Sequence, residues 1–279
     1  MLLALDAMGG DRAPQEPCRG AVRACESLPD LEVALVGDGK RLEPLLEEAP
    51  SSVRSRLHVV HTTLADGFDI INAAKSRGAP VYAETCPHYL ALDEDDLARL
   101  GPVAKCSPVL RKRSEVERLW GEVLAGRVDL ISSDHSPCPV EMKEVGNDDI
   151  WKAWGGMNSS QMMLPVMLSE GVHKRGLPLT LLVRLLVSNP ARLFGLYPQK
   201  GGLLLGADAD LAIVDLNEAW TLENDMLFSR HKISPYVGMQ FKGRVKQTVV
   251  RGRTVFKDGE ITAEAGYGKL LKPDYRGRE

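Results

Sequence analysis

Residues 57–85 read LHVVHTTLADGFDIINAAKSRGAPVYAET. The stretch opens with a short apolar strand over 57–60. A helix over 68–76 follows, ended by Gly78, and a second strand over 81–84 closes it. Strand, helix and strand joined by short turns make the unit of a parallel sheet, because parallel neighbours need a crossover between them. The pattern continues upstream. Residues 2–5 (LLAL) read as a buried strand and DAMGGD as a Gly-rich turn. A helix spans 15–27 with Pro14 at its start, a strand spans 31–36 before GDG, and 41–48 is helical. Downstream, 93–100 is a short helix with acidic residues in its first turn. Ser114 is expected to cap a helix running to Ala125, with Glu117 completing a capping box. Residues 128–132 form another strand, which runs into Asp134 and His135, and helices follow over 160–173 and 179–188. From about Leu203 helical periodicity fades. Short pieces at 211–214, 247–250 and 254–256, between Gly-containing turns, read as a separate β-rich layer. The last residues, GKLLKPDYRGRE, read as an extended tail.

At ~100–200 residues per domain, a chain of 279 residues makes one large domain or two small ones. A hydrophobic content of 44% with 26% charged residues excludes a disordered or collagen-like chain. The longest largely apolar stretches, such as 179–187, reach about half of the ~20 residues a membrane helix needs. MLLALDAMGGDR lacks a basic leader and reaches Asp6 too early for a signal peptide. A cytoplasmic protein without a membrane partner is expected. A net charge of −3, with Lys and Arg spread along the chain, gives no footprint for nucleic acid. Cys18, Cys25, Cys86, Cys106 and Cys138 are odd in number and form no CxxC, which speaks for a reducing compartment.

Asp134, in DLISSDHSPC, sits just past an apolar strand. Parallel α/β sheets bind ligands at the carboxyl ends of their strands, so this carboxylate either holds a metal or moves a proton, or it caps a turn. His61 ends LHVV in the same way, as a zinc ligand or as a packed strand-end histidine. His58 lies three residues earlier, on the opposite face of a strand, so the two should not share a metal. His88 and His135 also lie near strand ends; each either touches a polar substrate or metal ligand, or makes a local turn hydrogen bond. His173 reads as structural, and His231 is open. The DAMGGD turn either cradles a phosphate or is a tight strand-to-helix turn. Cys86, Cys106 and Cys138 have no visible activating base and read as buried. Trp151 and Trp154 belong to a polar loop, as a substrate lid or as anchors.

Several ordered motifs from about His58 to Gly259 resemble allantoinase, a cyclic-amide hydrolase of the amidohydrolase superfamily. They are VYAETCPHYLAL, GPVAKCSPVLR, LISSDHSPC, WKAWGGMNSSQMMLPVM, VSNPARLFGLYPQKGGLLLGADADLAIVDL and RHKISPYVGMQFKGRVKQTVVRG. Residues 1 to about 60 instead resemble the phosphate acyltransferase that makes acyl-phosphate for phospholipid synthesis (PlsX), through LALDAMGGDRAPQE and LEVALVGDG. The two meet near VVHTT, so His61 is not assigned to one parent, and the chain reads as a fusion.

The allantoinase resemblance implies that His61 is a metal ligand from the sixth barrel strand. It implies that Asp134 is the metal-bound carboxylate of the eighth, which takes a proton from water and passes it to the leaving nitrogen. Ser107 and Gly155 match positions that hold the cyclic amide, largely through backbone groups. Val109 departs from the usual second proline of the KCSPP motif. The family's two-zinc centre also needs a His-x-His pair, a carboxylated lysine and a further histidine; this chain has no His-x-His. The implied fold is α/β: an incomplete (β/α) barrel-like parallel sheet with a β-rich C-terminal segment. Its expected parts are an acyltransferase-like segment over 1–62, the barrel part over 63–200 and the β-rich segment over 201–279. Exposed strand edges of an unclosed barrel favour a homo-oligomer. The implied activity is zinc-dependent opening of a small cyclic ureide, allantoin to allantoate, impaired or lost with the missing ligands. The alternatives are a non-catalytic chimeric remnant and an acyl-phosphate-forming transferase.

Overall fold

The parallel sheet begins at the amino end and passes through the junction of the two resemblances without a break. In the computed structural model, which describes residues 2–6, 15–28, 32–36, 42, 45, 57–79 and 81–272, the chain divides into two compact units, Met1–Met157 and Asn158–Glu279.

The first unit carries β1 (Leu2–Asp6), β2 (Glu32–Val36), β3 (Leu57–Val60), β4 (Tyr82–Thr85) and β5 (Leu130–Ile131) in the spatial order β1-β2-β3-β4-β5. Every pairing is parallel. The acyltransferase-like strands therefore extend the same sheet as the allantoinase-like ones. Among the described residues β1 and β5 are edges, so this is an open sheet rather than a closed barrel. Parallel strands covered on both faces are buried along their whole length. β4 follows this rule over its last three residues, Ala83, Glu84 and Thr85, while Tyr82 at its start is exposed.

Helix α1 (Gln15–Ser27) turns Cys18, Ala21 and Cys25 toward Val33, Leu35 and Leu42. That is one apolar face at three- and four-residue spacing. Helix α2 (Ala65–Ser76) buries Phe68, Ile71 and Ala74, and Lys75 donates to Asp129 at 2.6 Å. Helix α3 (Pro87–Ala91) begins directly behind β4. In α4 (Glu94–Leu100) the Asp93 carboxylate accepts from the Asp95 and Asp96 amides, a local cap set by the acidic first turn.

Helix α5 spans Arg113–Leu124. The expected cap at Ser114 is not found: the helix starts two residues earlier than such a cap would set it, behind Lys112, with no side-chain cap. The Arg113 guanidinium instead meets Asp93 at 2.7 Å, and this tertiary ion pair overrides the local capping signal. The DAMGGD turn and most of the expected helix over 41–48 lie outside the described residues.

In the second unit the expected helices over 160–173 and 179–188 form, but with mixed pitch. Tight 3₁₀ turns at Ser160–Met162 lead into α-helix and then wide π-turns over Met167–His173. A second helical run covers Leu179–Val183, Arg184–Ser188 and Asn189–Leu193. The β-rich segment is an antiparallel meander of β6 (Leu211–Thr221), β7 (Gln240–Val250), β8 (Arg253–Lys257) and β9 (Glu260–Ile261). Gly243 sits at φ 97°, where a Cβ would come within 3.1 Å of Leu168 Cβ. Glycine there permits both the backbone conformation and the close approach of helix to strand. No helix among the described residues is long and apolar enough to cross a membrane.

Candidate active site

Three neighbouring strands of the first unit deliver their carboxyl ends together. His61 follows β3, Cys86 and His88 follow β4, and Asp134 follows β5. His61 and Asp134 hold positive φ, 39° and 43°. Such backbone costs roughly 1–2 kcal/mol for a side chain other than glycine, and it re-aims the residue as the strand ends.

Glu84 lies beneath them in β4. It is buried, accepts a short hydrogen bond from the Ser132 hydroxyl and another from the His61 backbone amide, and lies 3.4 Å from His58 Nε2. Burial pushes its carboxyl up to about 7, with the hydrogen bonds opposing. His58 is likewise held neutral by burial, its pKa lowered to about 4. The two strand histidines thus face different partners: His58 meets Glu84, while His61 interacts electrostatically with Asp134 and His88. Burial raises the Asp134 carboxyl above the ordinary range, and the charge of His61 counteracts it.

One ligand atom each from Cys86, His88 and Asp134 lies within 4.8 Å of the other two. Burial pushes both the Cys86 and Cys106 thiols up, Cys106 to about 12, so neither is a ready nucleophile. The Tyr89 hydroxyl of α3 donates to the Pro108 carbonyl at 2.8 Å, which brings the loop that carries Ser107 beside the carboxyl end of β4.

Ser107 and Gly155 meet across two loops. A Cβ built on Gly155 would come 2.7 Å from Ser107 Oγ. Lys143, a residue only 3% exposed, ties the loops from behind: its ammonium donates to the Lys105 and Trp154 carbonyls, each at 2.9 Å. Lys105 donates in turn to the carbonyls of Trp151 and Ala153, at 2.9 and 2.6 Å. Trp154 donates through Nε1 to the Ser136 carbonyl at 3.3 Å, whereas the Trp151 side chain stands 84% exposed. His135 is exposed and pairs its backbone with Met157. In the second unit, Asn158 donates to the His231 carbonyl at 3.0 Å.

Gly156 is more constrained than Gly155. A Cβ there would meet Ser136 Oγ at 2.5 Å and its backbone oxygen at 2.7 Å. Gly156→Ala is expected to destabilise the chain by about 1–3 kcal/mol through overpacking. Gly155→Ala is expected to cost less, because the Ser107 hydroxyl can rotate away. Paired denaturant melts check this; equal midpoints for the two variants would contradict it.

The amidohydrolase family model matches residues 47–255. The chain belongs to the amidohydrolase family. A second family model, described as fatty acid synthesis protein, matches residues 1–68, so segments similar to two families are joined in one polypeptide. The chain is 48% identical over 217 residues to the allantoinase of Rubrobacter xylanophilus, covering 78% of this chain and 47% of that protein. It is 42% identical over 216 residues to an L-hydantoinase of Paenarthrobacter aurescens, covering 77% and 47%. It thus spans about half the length of the curated relatives it matches. Among solved structures it resembles the L-hydantoinase (dihydropyrimidinase) of Arthrobacter aurescens, with a TM-score of 0.85 and 31% identity over 96% of this chain and 67% of that one. D-hydantoinase from Bacillus sp. AR9 gives 0.81 and 27% over 98% and 67%.

Sequence reasoning missed Glu84 and Lys143. An acid inside the otherwise uncharged strand YAET was a signal for Glu84. Lys143 gave none, since EMKE reads as an ordinary solvated helix turn.

Proposed function

We propose that this amidohydrolase opens a cyclic ureide, allantoin in the first instance, at its amide bond to give the acyclic acid. The observation that carries the reading is the convergence of His61 and Asp134 at the ends of β3 and β5, on either side of β4, beside the Ser107–Gly155 wall. The similarity to allantoinase supports allantoin over hydantoin as substrate.

The residues fit a divalent ion on their own chemistry. An imidazole and a carboxylate interact electrostatically at these strand ends, and Asp134 is half-buried, its pKa raised by burial and lowered by His61. His61 and Asp134 would hold zinc, which when bound supplies Lewis-acid activation of water and of the ring carbonyl. Asp134 would take up the proton released from water and hand it to the departing ring nitrogen. Ser107 and Gly155, packed against each other across two loops, would bound the cyclic amide.

A catalytic zinc site commonly keeps three protein ligands. His61 and Asp134 are two, and the chain contains no His-x-His, so turnover well below that of a full-length allantoinase is the expected behaviour. Allantoin and hydantoin turnover with added zinc, compared between the wild type and Asp134→Ala, tests the reading. Loss of slow allantoin opening in the variant is expected. Equal rates in the two proteins would overturn it and favour the second reading, a non-catalytic chimera, which the meeting of two family matches in one chain supports.

A further inference from the structure

We propose that Cys86, His88 and Asp134 form a mononuclear site for a borderline-soft divalent cation, zinc above all. The site shares Asp134 with the hydrolase reading but takes its other two donors from the turn behind β4. Metal binding there does not depend on hydrolysis.

Three observations carry it. The first is convergence: one sulfur, one nitrogen and one oxygen donor lie within 4.8 Å of one another. Donors around a tetrahedral zinc ion at ~2.0–2.3 Å are separated by roughly 3.3–3.8 Å, so small side-chain rotations close the set. The second is His88. Its side chain is 1% exposed, and neither ring nitrogen has a hydrogen-bond partner among the described residues. Its neighbour is the Tyr89 ring, with centroids 4.1 Å apart. A buried polar atom left unpaired costs about 1–3 kcal/mol, and a metal bond at one nitrogen removes that cost. The third is architecture. Cys86 is the residue in front of α3 and His88 lies in its first turn, so one rigid element presents both. Asp134 comes from the adjacent strand end and is half-buried, which leaves a side of the cluster open.

The donor types select the ion. Magnesium and calcium take all-oxygen sets, whereas a thiolate with an imidazole and a carboxylate suits zinc or cobalt. On binding, the Cys86 S–H bond breaks, a sulfur–metal bond forms, and the proton leaves to solvent. The Ser132 hydroxyl and Cys86 Sγ lie 3.7 Å apart, a weak hydrogen bond to sulfur that a sulfur–metal bond would outcompete.

The test is cobalt and zinc titration of the full chain after chelation and dialysis. The expected result is about one ion per chain with a thiolate-to-cobalt charge-transfer band that Cys86→Ser abolishes. His88→Ala should weaken zinc at least about tenfold, since even outer-shell partners of a metal site are worth ~10–100-fold. X-ray absorption of the zinc-loaded wild type should report one sulfur at about 2.3 Å, a readout independent of whether the variants fold. No bound ion, an ion without a sulfur neighbour, or a band surviving in Cys86→Ser overturns the site. Allantoin turnover with a sulfur-free ion would overturn this site and leave the hydrolase reading standing. A sulfur-bound ion without turnover would do the reverse.

Discussion

Replacing Trp120 by alanine is expected to lower the unfolding free energy by about 3–5 kcal/mol. Trp120 is 1% exposed in α5, and its indole Nε1 donates to the Leu90 carbonyl at 2.7 Å. Leu90 belongs to α3, the turn that presents Cys86 and His88, so the indole joins two helices by packing and by a hydrogen bond at once. Truncation leaves a cavity and unpairs a carbonyl; Trp120→Phe keeps most of the packing and unpairs only the carbonyl, at about 1–3 kcal/mol. Denaturant unfolding of the three proteins should rank them wild type, phenylalanine, alanine. A Trp120→Ala midpoint within error of wild type would show that the helices are held otherwise.

The second large effect is a pH dependence centred on Lys143. Burial pushes its ammonium down to about 8, against an ordinary value near 10.5. Between those values the unfolded chain holds more protons than the folded one, so stability rises as pH climbs from about 8 to about 10.5. Below pH 8 the burial penalty is fully present. The span corresponds to about 3 kcal/mol. Lys143→Met lacks the group and should lack this slope. The informative quantity is the wild-type minus Lys143→Met unfolding free energy as a function of pH, which cancels the titration of tyrosines and other lysines. A flat difference from pH 7 to pH 10.5 would show that the ammonium is not desolvated. Since Lys143 bonds the carbonyls of Lys105 and Trp154, the same variant should also loosen the Ser107–Gly155 wall.

Local signals described the elements well where local forces decide them. The strand over Leu57–Val60 and the helix before Gly78 follow from apolar runs and a breaker, and the short helix ending at Leu100 from its acidic first turn. The Ser114 cap failed because a distant partner, Asp93, claims Arg113. The mixed helical pitch over Ser160–Met162 and Met167–His173 also escaped, since apolar periodicity does not resolve small changes of winding. His61, Asp134 and His88 were all visible as residues near strand ends, His88 with a local turn hydrogen bond as its alternative. That the His88 ring is buried with no hydrogen bond to its nitrogens among the described residues is a property of the packed molecule.

The sequence by itself determined the alternation of strands and helices and, through its ordered motifs, membership of the amidohydrolase family. It also placed a carboxylate and an imidazole at the ends of apolar strands, because hydrophobic runs and turn residues act over a few neighbours. Only the tertiary structure decided that the acyltransferase-like strands join the same sheet, that Glu84 and Lys143 are buried, and that Cys86 and His88 meet Asp134. Those outcomes depend on inter-strand register and on backbone turned to positive φ at His61 and Asp134, and both are set by contacts between residues far apart along the chain.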